Sequence, residues 1–113
     1  MKKLLAVIVA SAAAFGAHAA PKAESAMECG IAADMAVVAR SLAEEQVQRP
    51  QAGAIMARIY DVSESTRGRE LMRDILEAAY RSQGATSQKF AEDLFAACMK
   101  SGGNMDTVLG SRL

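Results

Sequence analysis

At 113 residues the chain has room for one hydrophobic core and not for two. Its thirteen Lys and Arg balance thirteen Asp and Glu, and it is poor in aromatics with no Trp, so it offers neither a basic surface for nucleic acid or an anionic membrane nor platforms for base stacking. The single histidine, His18, falls in a segment expected to be removed, which leaves no imidazole for Ser-His-Asp or Cys-His catalysis, His-ligated zinc or covalent haem attachment.

Residues 1–19 have the make-up of a cleaved export signal. Lys2 and Lys3 give the positive start, Leu4 to Phe15 the apolar, Ala-rich middle, and Ala17-His18-Ala19 the small-x-small pattern that signal peptidase accepts. An apolar run of about a dozen residues is shorter than the ~20 that span a bilayer, and no cysteine follows the run closely enough to carry a lipid. The expected mature chain is therefore a single helical domain over residues 20–113, slightly acidic, in the periplasm or secreted, with no membrane attachment. Its eleven basic residues face thirteen acidic ones.

Four stretches of the mature chain carry apolar residues at helical spacing, and none alternates with period two, so the predicted class is all-α: a small four-helix bundle with a short extra C-terminal turn. The first helix opens on Ser25-Ala26-Met27-Glu28, a capping-box pattern in which Glu28 would reach back to the amide of residue 25, and runs to about Gln46. Ile31, Met35, Val38 and Leu42 form its expected core stripe. A second track of small residues, Cys29, Ala32, Ala33, Ala36 and Ala43, invites close approach on another face. Arg40 interrupts that track, and its stem is expected to lie along apolar surface with the head in water.

Pro50 suits the first turn of a second helix that buries Ala52, Ile55, Met56, Ile59 and Tyr60 and ends near Asp61. A third, capped by Asp61 or Ser63, buries Leu71, Met72, Ile75, Leu76 and Ala79 and closes at Gly84, with Gly68 weakening its first turn. Thr86 or Ser87 caps a fourth, whose inner face is Phe90, Ala91, Leu94, Phe95 and Cys98, and Gly102-Gly103 ends it. One further turn, from Met105 to Leu109, is closed by Gly110.

Cys29 and Cys98 are the two cysteines of the chain. They belong to the first and last long helices of an exported chain, and a structural disulfide is the expectation. A redox pair is the alternative, and the absence of a Cys-x-x-Cys arrangement speaks against it. Six methionines outlast cleavage. Met35, Met56 and Met72 lie on core stripes, and no Met-x-x-Met cluster forms a soft copper site, so no metal and no cofactor is expected. Arg67, Arg69 and Arg73 crowd the start of the third helix, where cations oppose the helix dipole, and they are the candidate anion site. The acidic pairs Glu44-Glu45 and Glu92-Asp93 are neighbours in sequence and point about 100° apart on a helix, so neither makes an acid/base dyad.

With its Ala-rich leader, some ninety mature residues, paired distant cysteines and helical plan, the chain resembles the small exported single-disulfide helical proteins of Gram-negative bacteria. In outline it is also similar to the periplasmic acid-stress chaperones, which loosen at low pH and expose apolar surface to unfolding clients. The missing catalytic chemistry leads to the expectation of a non-enzymatic interaction or structural module that works by contact with another protein, and the chaperone resemblance implies a stress-type holdase as the alternative.

Overall fold

The structure, a computed structural model, describes residues 22–62 and 65–110, all helix and connection with no strand among them. The expected export signal at 1–19 and Ser63 lie outside the described residues. The helices are α1 (Ala26–Glu44), α2 (Arg49–Tyr60), α3 (Thr66–Arg81), α4 (Ser87–Lys100) and a single turn, α5 (Asp106–Leu109). Four long helices and one extra turn make the bundle expected from periodicity. Among the described residues no helix is long and apolar enough to cross a membrane.

Three of the four long helices start where a side chain satisfies a free amide. Ser25 accepts from the Glu28 amide at 3.2 Å, Ser65 from Gly68 at 2.9 Å and Thr86 from Lys89 at 3.0 Å. Two sequence expectations shift. Glu28 reaches back to the amide of Glu24 at 2.8 Å, not to residue 25. Asp61 does not open α3 but closes α2, in the left-handed conformation at φ 47°. Gly68 matters sterically, because a Cβ there would lie 3.1 Å from Val62 Cβ and 3.2 Å from the capping Ser65 hydroxyl. The C-terminal end of α3 also differs, since Ser82 caps it and Gly84 follows in the turn at φ +93°.

The central element is α1, which touches the other three long helices and α4 most extensively. Its buried face is Cys29, Ala32, Met35, Ala36, Ala39 and Arg40. Cys29, Ala32 and Ala36 of the small-residue track thus take the core, whereas of the expected bulky stripe only Met35 does. Ile31 is 43% exposed, and Val38 and Leu42 are only partly covered. The physical reason is close approach: alanines let α3 and α4 come near enough to the α1 backbone to exclude water, and that contact fixes how α1 is rotated. Eight of the nineteen buried apolar residues are alanine, so the core gains from tight packing more than from bulk.

At the edge of the bundle, α2 buries only Ala52 and Met56, leaving Ile55 on the boundary and Ile59 54% exposed, against expectation. The disulfide joins α1 to α4, Cys29 to Cys98, with Cα atoms 5.7 Å apart, and both sulfurs are buried. Because Cys29 lies in the first turn of α1 and Cys98 in the last turn of α4, the two helices run antiparallel.

Polar ties complete the frame. The Arg40 head does not reach water: the side chain is 6% exposed, its Nε donates to Ala85 O at 2.8 Å and its Nη1 to Ala79 O at 3.0 Å. A buried cation there meets the negative end of α3. Tyr80 donates its hydroxyl to the Val47 carbonyl, and Arg81 holds α5 through the Leu109 carbonyl at 2.6 Å. The N-terminal segment is strapped on by Ala23 N donating to Gly103 O at 3.0 Å.

Candidate functional site

Between the outer sides of α1 and α4 lies an open apolar groove of about 600 Å³. Its floor is small, made by Gly30 and Ala33 of α1 and Ala91 of α4. Val37 and Phe95 form apolar walls and are 38% and 41% exposed. Phe95 was expected in the core. Its side of α4 instead faces the groove, while Phe90, Leu94 and Cys98 take the buried side. Gly30 deepens the floor, since nothing stands within 4 Å of where its Cβ would be.

Polar groups line the rim. Asp34 accepts from the Tyr60 hydroxyl at 2.7 Å, which ties the groove to α2. Burial, and then the neighbouring Asp34 carboxylate, push the Tyr60 hydroxyl well above the ordinary tyrosine value, so it stays a donor at any working pH. On the other wall Glu92 accepts from Gln88 Nε2 at 3.0 Å. No ion pair engages Asp34 or Glu92 among the described residues.

The basic group flagged in the sequence is arranged differently from the expected anion cradle. Arg67 turns back to α1 and makes a two-pronged pair with Glu28, Nη1 to Oε1 at 2.8 Å and Nη2 to Oε2 at 2.9 Å. It also donates to the Lys22 carbonyl at 3.1 Å and stands 3.6 Å from Glu24. The anion that Arg67 holds is thus the protein's own. The Arg67 hydrogen bonds, with help from the Glu24 amide, lower the Glu28 carboxyl to about 2. Arg69 contacts Thr66 Oγ1 at 3.4 Å and Arg73 is exposed. Two residues apart on a helix, Arg67 and Arg69 project to opposite sides, so the structure does not bring them together.

Of the methionines, Met35, Met56 and Met105 are fully buried, while Met27 and Met99 stand exposed. No cluster of three His, Cys, Asp or Glu suited to a metal ion occurs among the described residues. The groove was missed in the sequence because its walls look like parts of core stripes. One signal was available: Gly30, Ala33, Ala91 and Phe95 combine a small-residue strip with one large ring. What the fold and site define is a disulfide-tied helical bundle with an open apolar trough. Comparison of the chain with family models, with curated proteins and with solved structures finds no match.

Proposed function

We propose that this is an exported, non-enzymatic module of the periplasm or extracellular space, which acts by holding another protein in the groove between α1 and α4. The groove carries the reading. It is apolar, it leaves Val37 and Phe95 uncovered, and its two walls are locked together by the Cys29–Cys98 bond, so it is available without a costly rearrangement. Export is supported by the Lys2-Lys3 start, the Leu4 to Phe15 run and the Ala17-His18-Ala19 site, together with a disulfide that persists in oxidising compartments. An acid-activated chaperone would need the fold to loosen near pH 3. The Glu28–Arg67 clamp would contribute to such loosening, because its stabilisation fades as pH falls from about 4.5 toward 2.

A photo-crosslinking residue at Phe95, compared with one at the exposed Arg73 on α3, tests the reading in the intact periplasm. A discrete adduct from position 95 and none from position 73 is expected. Adducts from position 73 alone would defeat it, and a gain of dye-detected apolar surface with client protection at pH 3 would favour the holdase instead.

A further inference from the structure

We infer that the occupant of the groove is the apolar face of a basic amphipathic helix, a Lys- or Arg-flanked segment of a partner protein; this rests on the groove being a contact site. The first ground is charge. The rim carries two carboxylates, Asp34 and Glu92, and no Lys or Arg lines the trough. Each carboxylate meets a neutral donor, the Tyr60 hydroxyl or the Gln88 amide. The cation nearest Glu92 in sequence, Lys89, is held by Asp93 at 2.8 Å.

The disulfide sets the register. Counting along antiparallel helices from the Cys29–Cys98 bond, Asp34 lies five residues up α1 and Glu92 six residues down α4. The two acids therefore stand level to within ~1.5 Å along the axes, one on each wall. Two carboxylates on opposite walls of one apolar trough make it electronegative, and a guest cation beside them is attracted there while its apolar side chains fill the trough.

Shape selects a helix. Small floor residues allow a third axis to approach to the ~8–10 Å at which helices pack. The described residues contain no strand, so an extended guest has no sheet edge to pair with. From Gly30 to Val37 the trough runs ~10 Å, about two turns, which matches a guest presenting anchors at i, i+4 and i+7 with basic residues alongside.

The test titrates the oxidised protein, followed by amide NMR, with a stapled helical peptide carrying Leu anchors and flanking Lys, with its Lys-to-Glu counterpart, and with n-octylammonium. The basic peptide is expected to shift Gly30, Val37, Ala91 and Phe95 and to bind about tenfold more tightly than the acidic one, with the preference shrinking in high salt. The double variant Asp34→Asn, Glu92→Gln, its helicity checked by circular dichroism, is expected to erase the preference. Equal binding of both peptides would overturn the inference and leave the contact reading intact, as would an adduct from Phe95 with no binding of either peptide. Binding of n-octylammonium as tight as the basic peptide would also overturn it in favour of a small amine ligand. No peptide binding and no Phe95 adduct would remove both.

Discussion

Arg40 shows how much a single side chain can decide in this core. The described residues bury it together with one other charged residue, Asp74, and it supplies donors to two carbonyls at the end of α3 and the turn after it. Arg40→Ala leaves both carbonyls enclosed without these donors and opens space along α1. A loss of about 2–4 kcal/mol is expected from the missing charged hydrogen bonds, visible as a lower urea midpoint. Glu28 acts at the surface. Its carboxyl is more acidic folded than unfolded, so the unfolded chain binds the proton first, and the benefit is complete above about pH 4.5 and disappears as pH falls toward 2. Part-exposed and screened, the pair is worth about 1 kcal/mol. Urea titrations of the parent and Glu28→Gln should differ by that amount near pH 6 and converge near pH 2.

At the scale of elements, most helix starts and stops were legible because capping chemistry is local: Ser25, Thr86 and the Gly102-Gly103 stop need no knowledge of neighbours, whereas α3 opens on Ser65 and closes on Ser82 against expectation. Helix faces were not, because α1 carries two apolar faces and only the neighbours choose between them. The choice fell on Ala32, Ala36 and Ala39, each with no exposed surface. Ala36→Leu should therefore cost about 1–3 kcal/mol by overpacking. Ile59→Ala, more than half exposed in α2, should move stability by no more than ~0.5 kcal/mol. Thermal melts of the two variants settle the order, and a milder effect for Ala36→Leu than for Ile59→Ala would refute this account of α1. The same ambiguity hid the groove, since Phe95 sits on the apolar side of α4 by spacing and yet one quarter-turn from the part that α1 covers.

For the whole molecule the cross-link is the main constraint outside packing. The bond joins residues 69 positions apart, and closing so long a loop restricts the unfolded chain by about 4 kcal/mol in the chain-entropy model. In a domain with ~5–10 kcal/mol of net stability and a core rich in alanine, that share is large. Reduction, or the pair Cys29→Ala and Cys98→Ala, is expected to lower the melting temperature by tens of degrees and to weaken peptide binding in the groove, whose walls the bond unites. A variant melting within a few degrees of the oxidised parent would show that packing alone holds the bundle.

By itself the sequence determined the all-α class, the helix order, most caps and the pairing of its two cysteines, because periodicity, end chemistry and a count of two are local or exhaustive facts. It marked Arg67 at the head of α3 as part of a candidate site for an external anion. Only the tertiary structure decided that Glu28 answers it, that Arg40 goes inside and that α1 and α4 leave a trough between Asp34 and Glu92. Those outcomes depend on the rotation of each helix about its axis, a quantity set by the competition among faces for close contact, which no single segment contains.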